Sequence, residues 1–154
     1  MLVIEPAKTE AQLESIRGLL QEYGELRQYD TALGQYDKEI AGLPGVYAPP
    51  EGALLLASWN RTPAGCVALR KIGKGICEMK RMYVSPSFRK KGIGYALVEK
   101  ILSEARKRPY EIMRLDTHPW MEAAQKLYSS FGFEEVEAYH YNPTPGIRFF
   151  ELRL

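Results

Sequence analysis

The spacing of polar and apolar residues in the first part of the chain predicts a short strand followed by two helices. Residues 1–5 form a short apolar run that Pro6 closes, which predicts a strand. Thr9-Glu10-Ala11-Gln12 then has the form of a capping box, in which Thr9 and Gln12 satisfy free N–H groups at a helix start. Two helical patterns follow, and the second ends at Gly42-Leu43-Pro44-Gly45. The residues that we expect to face inward on these two helices are Leu13, Ile16, Leu19, Leu20 and Tyr23, then Leu33, Tyr36 and Ile40.

The period changes in the middle of the chain. Three compact apolar runs cover Ala53–Trp59, Gly65–Arg70 and Ile76–Val84. Asn60-Arg61-Thr62-Pro63 and Gly73-Lys74-Gly75, which separate them, are typical of turns. This region therefore predicts an antiparallel meander of three strands.

The last part of the chain alternates helix and strand. A helical pattern ends in a basic cluster, Arg106-Lys107-Arg108, which suits the negative end of a helix dipole, and Pro109 stops it. Pro119 fits the first turn of another helix, for which Gly132 is the left-handed cap. The inward residues of the two helices are Leu97, Val98, Ile101, Leu102 and Ala105, then Met121, Ala124, Leu127, Tyr128 and Phe131. The predicted strands are Ile112–Asp116, Phe133–Val136 and Arg148–Leu152.

Length and charge narrow the classes of function. A chain of 154 residues without repeats or a linker predicts one mixed α+β domain over residues 1–154. The net charge of +2 is too balanced to indicate nucleic acid or a membrane as a partner. The N-terminus has no signal-peptide pattern and no apolar run approaches membrane-spanning length, so we expect a cytoplasmic protein.

The cysteines and histidines predict neither a disulfide nor a metal site. Cys66 and Cys77 lie in apolar, strand-like runs, which indicates reduced core thiols. His118 and His140 lie far apart in the sequence, with no cysteine or carboxylate at ligand spacing.

The segment from Met82 to Tyr95 carries the clearest chemistry. It predicts a strand, a tight loop and a helix whose first turn contains Gly92 and Gly94. A helix N-terminus offers unpaired N–H groups and partial positive charge, and glycine lets the backbone approach an anion closely. Arg89-Lys90-Lys91 adds local positive charge, so the segment predicts a diphosphate site. A dinucleotide fold is disfavoured because Leu97 stands where its third glycine belongs, and no Walker lysine is present.

Arg89-Lys90-Lys91-Gly92-Ile93-Gly94 resembles the (Arg/Gln)-x-x-Gly-x-(Gly/Ala) signature of the GNAT acetyltransferase superfamily. Leu115-Asp116-Thr117, Ala124–Tyr128 and Phe131-Gly132-Phe133 resemble that family's fifth strand, fourth helix and exit, and the likeness covers residues 53–136 well. The resemblance implies a mixed, mainly antiparallel, twisted sheet of about seven strands with four helices. It also implies an acetyl-CoA-dependent N-acyltransferase, and it leaves a homodimer open.

The resemblance further implies how the coenzyme is bound. Backbone N–H groups from Lys90 to Tyr95 would hold the pyrophosphate, and the main chain at Met82 and Val84 would pair with the pantetheine arm. The family often has an asparagine where this chain has Met121, so one pantetheine contact should be missing. The expected cofactor-binding residues are Met82, Tyr83, Val84, Arg89, Lys90, Lys91, Gly92, Ile93, Gly94 and Tyr95.

Two side chains are candidates for proton transfer. Tyr128 matches a tyrosine that similar enzymes aim at the coenzyme sulfur, and its high reference pKa keeps it protonated as an acid. The competing interpretation is a core aromatic beside Phe131 and Phe133. Glu78 matches a catalytic glutamate of histone-type relatives and would serve as the base, against an ordinary outward-facing glutamate. By family geometry, a strand N–H near Met82 or Tyr83 would meet the oxyanion.

The acceptor is less well specified. Tyr23, Tyr29, Tyr36 and Tyr47, with Tyr139-His140-Tyr141-Asn142-Pro143 at the far end of the chain, could line a cleft for a small polar amine, and Glu22, Glu25, Asp30 and Asp37 could attract a cation. The alternative is solvated helix faces. A small-molecule or peptide amine is therefore the expected partner. A non-catalytic acyl-CoA-binding regulatory module is the alternative, and a nucleic-acid binder that uses Arg106-Lys107-Arg108 is a poor third.

Overall fold

A computed structural model describes residues 1–26 and 33–154, without the side chains of residues 33 and 34. Predictions for Tyr29, Asp30 and the side chain of Leu33 lie outside the described residues. The strands are β1 Leu2–Pro6, β2 Ala53–Trp59, β3 Thr62–Gly73, β4 Ile76–Val84, β5 Ile112–Thr117, β6 Glu134–Val136 and β7 Arg148–Arg153. The helices are α1 Glu10–Leu26, α2 Leu33–Ala41, α3 Ile93–Arg106 and α4 Glu122–Ser130.

One seven-stranded sheet, in the order β1-β2-β3-β4-β5-β7-β6, runs through the described chain. Every neighbouring pair is antiparallel except β4 and β5, which are parallel because α3 carries the chain from one to the other. The predicted α+β class, with about seven strands and four helices, is confirmed for the part of the chain that the structure describes.

The capping box at the start of α1 forms as predicted. The backbone N–H of Thr9 donates to Gln12 Oε1 at 2.9 Å, and that of Gln12 donates to Thr9 Oγ1 at 3.2 Å. The inward face of α1 is buried as expected. Short-range sequence signals therefore determine where this helix begins and which side it buries.

The sheet separates two apolar layers. One face packs against α3 and α4 and includes Leu97, Ile101 and Tyr128, whereas the other packs against α1 and α2 and includes Ile16 and Leu20. The two cysteines are free core thiols, as predicted, and burial raises the pKa of each to about 12. Cys77 belongs to the first layer and Cys66 to the second.

Strand β4 changes its pairing near its middle. Its ladder with β5 ends at Glu78 opposite Arg114, although β4 continues to Val84 and β5 to Thr117. On the other side, Cys66 pairs with Tyr83 but Ala68 pairs with Lys80, so β4 contains one extra residue. Arg81 lies at this bulge with φ +59°. Beyond the bulge, main chain of β4 that is not in the β5 ladder borders the site.

Two predicted boundaries are wrong. Strand β3 begins at Thr62, because the turn needs only Asn60 and Arg61, both with positive φ. Helix α4 begins at Glu122, so Pro119 lies before it in a turn that the hydrogen bond from Met121 N to His118 O closes. In the described ranges, no helix combines the length and the apolar character that crossing a membrane requires.

Candidate functional site

A groove of about 660 Å³ opens where β4 ends and where α3 and α4 begin. It falls within the usual size range of small-molecule sites. The residues that line it are Tyr23, Leu26, Met82, Tyr83, Val84, Phe88, Arg89, Lys90, Gly92, Ile93, Gly94, Trp120, Met121, Glu122, Ala123, Ala124 and Leu127.

The N-terminus of α3 forms one wall of this groove. Gly92 precedes the helix with φ +77°, a conformation that favours glycine. The first backbone bond within the helix runs from Ala96 N–H to Gly92 O, so the preceding N–H groups have no acceptor in the turn before them. These amides and the basic residues Arg89 and Lys90 give the wall positive potential. The wall is therefore chemically suited to a diphosphate.

Gly94 controls the depth of the groove beside this helix start. A Cβ at this position would lie 3.2 Å from Met82 Cε and 3.4 Å from Leu127 Cδ2, and both residues line the groove. Because glycine has no Cβ, α3 can approach β4 and α4 closely here without pushing these two side chains into the groove.

Most of the predicted cofactor residues meet at the groove, but Lys91 and Tyr95 are not among its lining residues. The Lys91 ammonium lies 5.1 Å from the centroid of the Trp59 ring on β2. The Tyr95 ring packs on Phe131 with centroids 4.7 Å apart. Lys91 lies in the loop before α3, and Tyr95 lies on the helix, and both side chains contact aromatic rings outside the groove. The backbone N–H of Tyr95 still belongs to the first turn of α3.

Two side chains shape the part of the groove where pantetheine was predicted. Arg89 Nε donates to the Val84 carbonyl at 3.1 Å, which ties the loop back to the end of β4. Met121 lines the groove, and its thioether accepts a hydrogen bond from Thr117 Oγ1 at 3.7 Å. A thioether has no N–H to donate, so Met121 cannot replace the amide of an asparagine.

Tyr128 lies on α4 behind the groove and is only 6% exposed. Its ring makes an edge contact with Phe133 at 5.9 Å between centroids. Burial raises the pKa of Tyr128 well above its ordinary value, and the charges of Tyr23 and Asp116 raise it further. The phenol therefore stays protonated at neutral pH. These two neighbours lie on different elements, since Tyr23 belongs to α1 and lines the groove, whereas Asp116 belongs to β5.

Glu78 is fully buried on β4, rather than an outward-facing surface residue. Its Oε1 accepts a hydrogen bond from Arg70 Nε at 2.8 Å, and its Oε2 accepts one from the Tyr139 hydroxyl at 2.5 Å. Both oxygens are thus paired inside the protein. Arg70 stands opposite Glu78 in the β3–β4 ladder, which fixes this contact.

A second polar group was missed by reasoning from sequence spacing. His140 Nε2 lies 2.7 Å from Asp116 Oδ2 and 4.0 Å from Glu78 Oε2, a proximity that sequence spacing did not indicate. The carboxylates come from β5 and β4, far away in the sequence. Burial alone would raise the pKa of Asp116, but Lys80 and His140 outweigh it and hold this pKa below its usual value.

Glu78, Asp116 and His140 place ligand-type atoms within 4.8 Å of one another, a geometry that could hold a metal ion. The atoms already have protein partners, however. Nδ1 and Nε2 of His140 lie 2.9 Å from the Tyr141 carbonyl and 2.7 Å from Asp116, and both of these oxygens are acceptors. A metal ion at this place would therefore have to displace contacts that the two ring nitrogens already make within the protein.

The predicted tyrosine-lined cleft forms only in part. Tyr23 lines the groove and packs on Tyr83 with ring centroids 5.2 Å apart, and the Tyr83 hydroxyl donates to Glu22 Oε2 at 2.6 Å. Tyr36 and Tyr47 are buried in the layer beneath α1 and α2, at 5% and 1% exposure. Most of these tyrosines therefore serve the core.

The sheet with its split between β4 and β5, together with the groove at α3, defines the acyl-CoA N-acyltransferase fold. An acetyltransferase of Streptococcus agalactiae shares it with a TM-score of 0.83 and 18% identity, over 99% of this chain and 98% of that one. An N-acetyltransferase of Thermoplasma acidophilum, solved in complex with coenzyme A, gives 0.78 and 18% over 100% and 99%. At this identity, the likeness concerns the fold alone.

The sequence comparisons identify the family. Residues 13–133 match the model described as the acetyltransferase (GNAT) family. An uncharacterized N-acetyltransferase of Schizosaccharomyces pombe is 37% identical over 98% of this chain and 94% of its own length. Human N-acetylaspartate synthetase is 34% identical over 71% of this chain and 37% of its own length. The chain belongs to the GNAT acetyltransferase family.

Proposed function

We propose that the protein transfers an acetyl group from acetyl-CoA to a primary amine of a small molecule or peptide, by direct attack in a ternary complex. The observation that carries this proposal is the start of α3, where backbone N–H groups after Gly92 open onto the groove beside β4. In this proposal the amides hold the diphosphate of the coenzyme. The thioester then reaches the gap between β4 and β5.

Acetyl-CoA supplies an activated acyl group, and the side chains around the gap handle the protons. Tyr128 holds a proton on its phenol oxygen and gives it to the departing sulfur. Two observations support this role: the raised pKa of Tyr128, and its place on α4 directly after Leu127, which lines the groove. A main-chain N–H at Met82 or Tyr83 meets the negative charge that develops on the acyl oxygen.

Glu78 is the proposed final acceptor of the proton from the amine. Because Glu78 is fully buried, the amine cannot touch it directly. The Tyr139 hydroxyl, which donates to Glu78 at 2.5 Å and is only partly buried, bridges the two. Tyr139 passes its own proton to Glu78 as it takes one from the amine, so its charge does not change. Burial and the neighbouring Glu78 raise the pKa of Tyr139, which disfavours a free phenolate.

The proposed acceptor is an amine that carries further polar or charged groups. Lys80, Asp116 and His140 would bind these groups. The human relative is named for a product, N-acetylaspartate, in which the acetylated amine is that of aspartate. Amino acids therefore belong in any panel of acceptors. The experiment is release of free CoA thiol from acetyl-CoA over a panel of amino acids, polyamines, aminoglycosides and peptide N-termini. We expect at least one amine to accelerate release, and Tyr128→Phe to slow it.

A non-catalytic acyl-CoA-binding module remains the second candidate, and one observation favours it. Both proposed proton-transfer groups are buried, Tyr128 at 6% exposure and Glu78 at 0%. Tight binding of acetyl-CoA without turnover for any amine in the panel would select the module. Turnover that depends on Tyr128 would select the enzyme.

A further inference from the structure

The bulge in β4 has an unusual residue at its centre. Arg81 has φ +59°, in the left-handed region that non-glycine residues avoid. The other non-glycine residues with positive φ in the described ranges are Asn60, Arg61 and Lys90, which lie in turns or loops. Arg81 alone among them lies inside a strand, so the surrounding structure must hold it there.

The bulge decides which apolar layer each of the following side chains joins. Before it, Cys77 and Met79 pack into the layer beneath α3. Strict alternation would next send Arg81 and Tyr83 to that layer. The extra residue reverses the order, so Met82 and Val84 pack against the layer beneath α3 and Tyr83 joins the layer beneath α1 and α2, while all three line the groove. The main-chain groups of Met82 and Tyr83 turn with their side chains.

Helix α2 contacts the bulge from the face of the sheet that packs against α1 and α2. Arg81 Nε and one terminal nitrogen donate to the two oxygens of Glu39 at 2.7 and 3.0 Å, a bidentate pair. The Arg81 guanidinium lies 4.7 Å from the centroid of the Tyr36 ring, and Tyr47 adds a hydrogen bond to Glu39. The side chain of Arg81 is only 12% exposed. Two side chains of α2 therefore contact this strained strand residue directly, and Tyr47 supports one of them.

We propose that Glu39 is a positioning residue, which holds the β4 bulge through Arg81 and so aims the main-chain N–H groups of Met82 and Tyr83 at the acyl oxygen. The inference rests on the proposed acetyl transfer. It assigns to α2 a part in catalysis without contact between Glu39 and either substrate. It also separates two functions of the site, since the α3 amides hold the diphosphate and the Glu39–Arg81 pair sets the geometry at the thioester.

The test compares Arg81→Ala with Arg81→Gly. Both variants remove the guanidinium and leave Glu39 without it, so their losses of ion pairing are matched. Only glycine adopts the left-handed conformation freely. We expect Arg81→Ala to lower kcat by about tenfold or more, given that loss of one oxyanion donor costs about 10²–10³-fold. We expect Arg81→Gly to stay within about threefold of wild type, and KM for acetyl-CoA to change little in either.

A second pair of variants tests Glu39 itself. Glu39→Gln should lower kcat by about fivefold in the wild-type background, but by less than about twofold in the Arg81→Gly background, where nothing needs to be held. Arg61→Gly is the control for glycine at a positive φ, because Arg61 has φ +72° in the β2–β3 turn away from the groove. It should leave kcat and KM unchanged.

Two results would overturn the proposal: equal impairment in Arg81→Gly and Arg81→Ala, or an unchanged effect of Glu39→Gln in the Arg81→Gly background. Amide hydrogen exchange at residues 80–84 provides a readout without turnover, and it should accelerate in Glu39→Gln. If wild type fails to bind acetyl-CoA, the proposed function fails, while faster exchange still tests the hold on the bulge. Unchanged amide exchange at residues 80–84 in Glu39→Gln would refute the claim that Glu39 stabilises the bulge.

Discussion

The two sides of the site are built in opposite ways. The cofactor side is a nearly continuous stretch, from Met82 at the end of β4 to Gly94 in the first turn of α3. The acceptor side assembles Arg70, Glu78, Asp116 and His140 from four separate segments. A ligand site made of main-chain N–H groups needs a local turn and glycine. A site made of paired side chains needs the whole sheet.

This contrast indicates at which positions amino-acid substitutions are tolerated. Main-chain amides persist through most substitutions, so the cofactor side is vulnerable at Gly92 and Gly94 and little affected elsewhere. Each charged group on the acceptor side depends on a partner, so loss of one leaves another buried charge unpaired. We therefore expect a change in the specificity of the proposed acceptor side to require coupled substitutions. The following predictions test the contrast.

The largest effect should come from Tyr128→Phe, at the border between the two sides. We expect kcat to fall about 10²–10³-fold, because a positioned acid contributes about 10²–10⁴-fold, with KM for acetyl-CoA within about twofold. Tyr110→Phe is the matched control, since Tyr110 is also a buried tyrosine and donates to Glu51 O at 2.6 Å, away from the groove. Steady-state CoA release measures both. Equal losses in the two variants would make Tyr128 a core residue only.

Glu78→Gln should lower kcat by about 10²-fold, because the amine proton loses its acceptor. Arg70→Gln disrupts the same ion pair but keeps the carboxylate, so its kcat should fall by less than about fivefold while its unfolding free energy drops comparably. Kinetics and urea unfolding of the two variants provide the comparison. If kcat follows stability in both, Glu78 is structural, and the acceptor side has no base at this position.

Gly92→Val should weaken acetyl-CoA binding by about tenfold or more, because a branched residue resists φ +77° and the turn that precedes the helix amides would change. Gly45→Val is the matched control, with φ +49° and no atom within 4 Å of an added Cβ. Both should lose about 1–2 kcal/mol of unfolding free energy. Calorimetric titration should show loss of affinity in Gly92→Val alone. Equal affinity in both variants would remove the special role of the helix start.

The smallest effect concerns pH and the Glu39–Arg81 pair. Burial alone would raise the pKa of Glu39, but Arg81 overcomes it and holds this pKa below its ordinary value of 4.5. A lowered folded-state pKa contributes stability above the unfolded value, and this stability is lost as pH falls through the folded value. The stability advantage of wild type over Glu39→Gln should thus shrink by about 1 kcal/mol between pH 6 and pH 3 in urea unfolding. A constant difference would contradict it.

The sequence predicts the elements well because their signals are local. The capping box at Thr9 and the apolar face of α3 describe their own neighbourhoods, and both form as expected. The start of α4 was misplaced because Pro119 suits a turn as well as a first helical turn. Local chemistry cannot separate those two uses of proline.

The site likewise has a part that local sequence predicts and a part that it does not. The groove at Gly92 follows from consecutive residues, so a motif identifies it. The contact between His140 and Asp116 depends on how a loop after β6 crosses the end of β5, and sequence spacing contains no trace of it. The bulge at Arg81 is equally hidden, since nothing in the sequence marks an arginine for a positive φ. Carboxylates near β4 and β5 in a chain with this motif are the signal that could have suggested a shared cluster.

The proposed contact is between the amides at the start of α3 and the diphosphate of the coenzyme. Its most direct test is calorimetric titration of the wild-type protein with acetyl-CoA and with S-acetylpantetheine, which keeps the thioester but lacks the diphosphate. The account predicts saturable binding of acetyl-CoA and affinity at least about 100-fold lower for S-acetylpantetheine. Equal affinity for the two, or no heat with acetyl-CoA from a folded protein, would contradict it.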